Sequence, residues 1–427
     1  MKYLFALISV LTVNNCLAQD LPNIKLAASY FKEAELASKG QKLWKAEIYG
    51  PTLLVEPKSR VVYANVQDDL GILKPAGGIF SGILPKEVMI ANTAINWEGK
   101  KWSVMLLPLP QQRDERVSLM IHESFHRVQQ GLGFFDKSPT ADHLANLQGR
   151  IYFLLELQAL RAALLKSVPM RVKDLENALA FRQRRAILFP ATFANESILE
   201  ISEGLAEFTG LMLGRNPRHI RQHLLDQIDS ASNLKSLIRS SAYLTGPVYG
   251  YLLYGKDPQW TNQLSSTTTF PALIKKTYHF KLPINMSASK LFMAKARYNG
   301  QSIEQAETEK DRQRSLIEKT YINIYTQNPV LTIKLVKMEI QFNPNNLFDL
   351  GNLGTVYPTA QIKDSWGTLT VAKGSMLMKD WQVVHLPMNG TEPATTGNKI
   401  SGDGWQMDLK EGWKIQKIDS LHYQLTQ

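Results

Sequence analysis

A chain of 427 residues, 44% hydrophobic and 20% charged, is long enough for two or three domains with cores of their own, and it is too apolar to be a disordered polymer. The net charge of +11 is spread along the chain, with no motif and no concentrated basic patch, which excludes nucleic acid as the expected partner. Charge alone predicts only a weak attraction to anionic envelope surfaces.

The first residues carry an address. Met1-Lys2 precedes an apolar run from Tyr3 to Val13, and Cys16-Leu17-Ala18 offers a small-x-small cleavage site before Gln19. This predicts a signal peptide over residues 1–18 and an exported protein, periplasmic or extracellular. The apolar run is too short to span a bilayer. Cys16 is the single cysteine, so a chain cleaved after Ala18 has neither disulfides nor thiol chemistry.

The spacing of Phe31, Leu36 and Leu43 predicts a helix from Ser29 to about Lys45. The period then changes to two. Thr52–Val55 and Val61–Val66 read as a hairpin across Pro57-Lys58-Ser59, and Ile79–Leu84, Val88–Trp97 and Trp102–Leu107 continue the strand signal in a small antiparallel sheet. Pro108 and Pro110 end it. A helix follows with Asp114 as its expected N-cap, running to about Gln130. Further helices are predicted at Ala141–Lys166, Val172–Leu188, Asn195–Leu213, Pro217–Ile228, Pro247–Tyr254 and Ser302–Tyr325. Beyond Val330 the helical period disappears. Leu331–Phe342, Gly367–Ala372, Trp381–Leu386, Trp405–Leu409, Trp413–Ile418 and Leu421–Leu425 read as strands between Asn-, Gly- and Asp-rich turns. The expected organisation is a β-rich part at 19–112, a helical domain at 113–329 and a C-terminal β domain at 330–427.

Within the helix after Pro110 lies His122-Glu123-Ser124-Phe125-His126. Histidines at i and i+4 share one helix face, so both imidazoles can reach one metal ion while Glu123 points at its open side. A zinc site of that kind needs a third protein ligand. Glu203 and Glu207, in Ser202-Glu203-Gly204-Leu205-Ala206-Glu207, are also one turn apart, where two carboxylates repel unless a cation is near. Gly204 is costly inside a helix unless something approaches it closely. His219 and His223 repeat the spacing but stand beside Arg218 and Arg221, and Asp226 is their nearest acidic partner, a poor second site.

The H-E-x-x-H pentapeptide followed by a helix bearing E-G-x-A resembles the gluzincin metallopeptidases, the class that includes thermolysin. The resemblance covers two short motifs and the sheet-then-helix order around them, and it does not extend to the C-terminal domain. It implies an α+β chain with a zincin-like core, a sheet plus a helical domain, carrying an all-β C-terminal domain. It further implies one zinc per chain on His122, His126 and Glu203, with Glu207 supporting a ligand histidine, Glu123 as general base to a zinc-bound water, and Tyr243 or Tyr249 as donor to the oxyanion. The insert between His126 and Glu203 is longer than in thermolysin, which keeps Glu207 open as the alternative ligand. The metzincin pattern fails, because its Gly and third His fall on Gln129 and Leu132.

A peptide or protein substrate is expected to add as a strand on a sheet edge beside the metal helix, with Met89–Trp97 as the candidate edge and Asn92 and Ala94 as contacts. The expected function is therefore a secreted zinc peptidase. The alternative from another class is a non-catalytic envelope or cell-wall binding protein with structural zinc, which would have no need of Glu123.

Overall fold

In the computed structural model, which describes residues 8–134, 137–265, 267–283, 286–343, 346–388 and 394–427, with side chains from residue 23 onward, six short strands make one sheet near the N-terminus. Their order is Lys74–Ala76, Ile79–Ile83, Val61–Ala64, Thr52–Val55, Lys100–Leu106, Thr93–Trp97. The expected antiparallel sheet is in fact mixed: Thr52–Val55 pairs antiparallel with Val61–Ala64 but parallel with Lys100–Leu106, Leu53 opposite Val104. Turn composition marks hairpins and is blind to a parallel partner so far along the chain. Alternation gives the sheet two apolar faces. Leu53, Val55, Val62, Ala64, Trp102 and Val104 form one small core with the loop residues Leu73 and Leu84, while Leu54, Tyr63 and Met105 join the helical core on the other side.

Several boundaries differ from expectation. The first helix spans Ile8–Ser38 and does not reach Lys45. Gly40, at φ +70°, takes the left-handed conformation that ends it, and the Gln41 amide then organises the turn by bonding Trp44 and Ala46. The expected signal segment, 1–18, falls where side chains are not described; no helix among the described residues is long and apolar enough to cross a membrane. The strand expected at Val88–Trp97 shortens to Thr93–Trp97. Arg60 donates to the carbonyls of Leu84, Pro85 and Val88, holding residues 84–88 as a loop, and Asn92 replaces a ladder carbonyl by accepting from Leu106 N at 2.9 Å.

Lys100–Leu106 leads directly into the histidine helix, Arg113–Gln129. Its N-cap is Gln112, not Asp114, whose carboxylate instead accepts from Asn216 N at 3.1 Å. Buried Arg116 donates to the carbonyls of Pro110 and Gln111 and to Glu33, tying the helix start to the first helix. Helices Leu147–Leu164, capped by Asn146, and Val172–Leu188 follow. The glutamate helix expected at Asn195–Leu213 runs from Ala194 to Gly214 but contains a π-helical stretch, Glu200–Gly204. Pro217–Ser230 comes next, with Pro217 in its first turn and Asn216 as cap. The helix expected to begin at Pro247 spans Ser241–Tyr254 and carries Pro247 in its interior. Phe270–Thr277 and Ala288–Arg297 are helices that periodicity did not reveal, being too short for a clear pattern.

The chain divides into two units, Met1–Glu304 and Gln305–Gln427, so the division falls inside the helix Gly300–Gln327 and not at residue 330. The reason is local: Tyr325 donates to Ser375 Oγ at 2.7 Å and Tyr321 lies against Phe348, which binds the last turns to the strands that follow. Among the described residues the second unit holds one seven-stranded and one six-stranded sheet around Trp366, Leu369, Met407 and Leu331. The strand expected over Leu331–Phe342 is two strands, Val330–Lys334 and Glu339–Phe342, in different sheets. Asp364 accepts from Val336 N and Lys337 N where the chain crosses between them. The chain is thus α+β, with a helical domain and C-terminal β-sheets.

Candidate metal centre

The histidine helix and the glutamate helix lie unusually close because glycine faces backbone. A Cβ on Gly210 would stand 2.5 Å from Ser118 O and 3.3 Å from His122 Cβ, and one on Gly214 would stand 2.5 Å from Ser118 N. Gly204 meets a third helix in the same way: its Cβ would fall 2.9 Å from Gly246 Cα. These contacts bring His122, His126, Glu203, Glu207 and Tyr243 together.

The orientation of each imidazole follows from its partners. Gln129 Nε2 donates to the carbonyls of Ile201 and Ser202 at 3.3 and 3.1 Å, so the Gln129 oxygen faces His126 Nδ1, 2.8 Å away, and accepts from it. His122 Nδ1 lies 3.0 Å from Glu207 Oε2, which accepts in turn. With both Nδ1 atoms committed as donors, the two Nε2 atoms converge 3.1 Å apart, and Glu203 Oε2 stands 3.7 and 3.5 Å from them. Two lone pairs and a carboxylate aimed at one point need a proton or a metal ion between them. Tetrahedral zinc with ligand bonds near 2.0–2.1 Å places its donors about 3.3 Å apart, so this donor set fits it. All three donor atoms lie within 4.8 Å of one another. Glu207 does not join that cluster, being engaged at the far nitrogen of His122.

Charge follows the same geometry. Burial pushes the His122 imidazolium down, but hydrogen bonds to Glu203 and Glu207 outweigh it and raise the group to about 10. Burial raises Glu203, yet His122, His126 and Tyr243 hold its carboxyl well below the usual range. Glu123 goes the other way: burial raises it above an ordinary glutamate against the pull of both histidines. Its side chain is 5% exposed and its Oε2 is buried with no hydrogen-bond partner. Two neighbouring carboxyls are thereby driven apart in acidity.

The two tyrosines part company. Tyr243 donates to Glu203 Oε2 at 2.5 Å and its ring stacks on His122 with centroids 5.8 Å apart. Tyr249 is fully buried and donates to Glu156, away from the histidines, which corrects its expected place at the site. Six residues at about 100° each leave Tyr249 roughly 120° around the helix from Tyr243, so the two hydroxyls point in different directions. Of the expected substrate contacts, Ala94 lies on the outermost strand opposite Ser103, while the Asn92 amide oxygen is already occupied by Leu106 N. His223 is partly buried and lowered by burial and by Arg215, and it belongs to no metal cluster among the described residues.

Gln129 is the site residue that motif reading missed. Its only signal was a polar side chain one helical turn beyond His126 and two beyond His122, on the same face as the histidines. Behind Glu203 lies a second group with no motif at all: Glu156, Arg182, Arg185, Glu196 and Glu200, each at most 3% exposed and bonded to one another. No family model, curated protein or solved structure matches this chain.

Proposed function

We propose that the first unit is a zinc-dependent peptidase of gluzincin type, exported as its N-terminal pattern predicts and acting on peptide or protein chains. The observation that carries the reading is the convergence of His122 Nε2, His126 Nε2 and Glu203 Oε2 on one point beside the unpartnered, buried oxygen of Glu123. A structural zinc site closes itself with four protein ligands and has no use for such a carboxylate.

When bound, zinc supplies Lewis acidity at that point. The chain does the rest. Glu123, raised by burial, takes a proton from water at its free oxygen and returns it to the leaving amine. Tyr243 Oη, whose single proton goes to Glu203 in the structure, turns from that carboxylate to donate to the oxygen that becomes negative as the peptide carbon turns tetrahedral. Glu207 and Gln129 hold the two imidazoles in the tautomer that presents Nε2. Thr93–Trp97, outermost in its sheet, offers unpaired backbone groups to a substrate chain laid alongside.

The test is metal analysis of the purified protein together with a broad peptide-library digest, run beside Glu123→Gln. The expected result is one zinc per chain in both proteins and hydrolysis by the wild type alone, reduced at least about 100-fold in the variant. Zinc-free wild type, or a variant cleaving at the wild-type rate, refutes the reading.

A further inference from the structure

Four glutamates on one helix do two different jobs. In a regular α-helix Glu196, Glu200, Glu203 and Glu207 would form a single stripe within about 60° of one another. Here Glu196 and Glu200 face Arg185 and Arg182, whereas Glu203 and Glu207 face His126 and His122. The break between the pairs is the π-helical stretch Glu200–Gly204. Its wider turn rotates everything after it by roughly a quarter turn relative to an α-helix.

A π turn is a rare departure from the α ladder, found mostly as a single turn at functional sites, so what holds this one matters. Glu200 is the anchor point. Its Oε1 accepts from Arg182 Nη1 at 2.6 Å and from Thr245 Oγ1 at 2.5 Å, and its Oε2 accepts from Arg182 Nη2 at 2.8 Å. All three residues are at most 2% exposed, so the bonds act without competition from water. Arg182 is itself fixed, reaching Glu156 and Glu196. At the other end of the turn Gly204 is wedged against Gly246, one residue after Thr245. The carbonyls of Ile201 and Ser202, within the turn, are taken up by Gln129, which also orients His126.

We propose that Arg182, Glu200 and Thr245 are positioning residues of the metal centre: they pin the π turn, and the π turn aims Glu203 at the histidines. The inference rests on the metal-centre reading above. It separates two roles that a buried ion cluster can have, namely holding helices together and setting the direction of a ligand.

The decisive variant is Thr245→Val, which keeps the shape and removes one bond to Glu200. Zinc affinity of the full chain is read by competition with a chromogenic chelator, well below the melting temperature of each metal-free protein. Thr245→Val and Glu200→Gln are expected to weaken zinc at least about tenfold, as loss of outer partners does at other metal sites. Thr245→Ser restores it. The control is Thr261→Val, which removes another buried threonine bond, to Leu43 O, and should lower the melting temperature while leaving zinc affinity unchanged. Should Glu200→Gln fail to fold, Thr245→Val and its serine rescue still decide the matter. Wild-type affinity in a folded Thr245→Val overturns the anchor and leaves the centre standing; a wild type that takes up no zinc overturns both.

Discussion

Gln129 and His126 sit three residues apart on one helix, and the amide oxygen of the first accepts from Nδ1 of the second at 2.8 Å. Because the Gln129 amide nitrogen is held by two carbonyls of the glutamate helix, the bond fixes both the tautomer of His126 and the distance between the helices. Gln129→Ala should therefore lower zinc affinity by about 10–100-fold without removing any ligand. Chelator competition on the purified variant checks this, and unchanged affinity would show that His126 needs no such partner.

Tyr243→Phe should retain one zinc per chain and lose about 100-fold in kcat, the usual cost of deleting a donor to a developing oxyanion. Tyr249→Phe should behave oppositely. Its hydroxyl serves buried Glu156, so its loss costs about 1–3 kcal/mol of stability with catalysis preserved. Parallel melts and steady-state kinetics on the pair decide; equal kinetic effects would contradict the division of roles.

Much of the centre was legible because its chemistry repeats at helical spacing. His122 and His126 follow from i, i+4 geometry, and Glu203 with Glu207 follow as an acidic pair. Which of the two faces the Nε2 atoms did not follow, since in a uniform helix both point the same way. The π turn that separates Glu200 from Glu203 depends on Arg182 and Thr245, residues distant in the chain, and no local propensity encodes it. Pro247 misled for a related reason. It reads as a helix start, but Thr245 bonded to Glu200 and Gly246 packed on Gly204 hold the preceding turn helical. In the sheet, hairpin turns announced antiparallel neighbours, while the parallel pairing of Thr52–Val55 with Lys100–Leu106 had no turn to announce it.

Gly246→Ala tests the helix contact directly. The added Cβ would lie 2.4 Å from Gly204 Cα, with backbone on both sides and no flexible side chain to yield. A loss of roughly 1–3 kcal/mol or more is expected from overpacking, with weaker zinc as the helix bearing Glu203 is pushed away. Urea denaturation and chelator competition measure the two effects; wild-type values in both would mean that the helices part without cost.

Asp68 gives a pH dependence independent of any metal. Burial raises its carboxyl, but the N–H groups of Leu73 and Ile72, each 2.7 Å away, hold it below its ordinary value of 3.8. A lowered folded value means that the carboxylate stabilises the native state above pH 4 and that this contribution is lost as pH falls through the folded value. Asp68→Asn should therefore be less stable than wild type by about 1–2 kcal/mol at pH 7, with the gap closing below pH 4. Urea titrations at pH 7 and pH 3 check the sign; a gap that widens in acid would contradict it.

The parallel pairing of Thr52–Val55 with Lys100–Leu106 also governs when the centre can come into being. The strand that runs into the histidine helix finds this partner only after a long loop closes, and the glutamates arrive from further along still. Such non-local closure sets slow folding rates. An ion bound by these ligands is therefore expected to meet them assembled only after the rate-limiting events have passed. If the centre takes zinc as proposed, the ion should lengthen the lifetime of the native state by slowing its unfolding, and stopped-flow refolding is expected to proceed at the same rate with or without it.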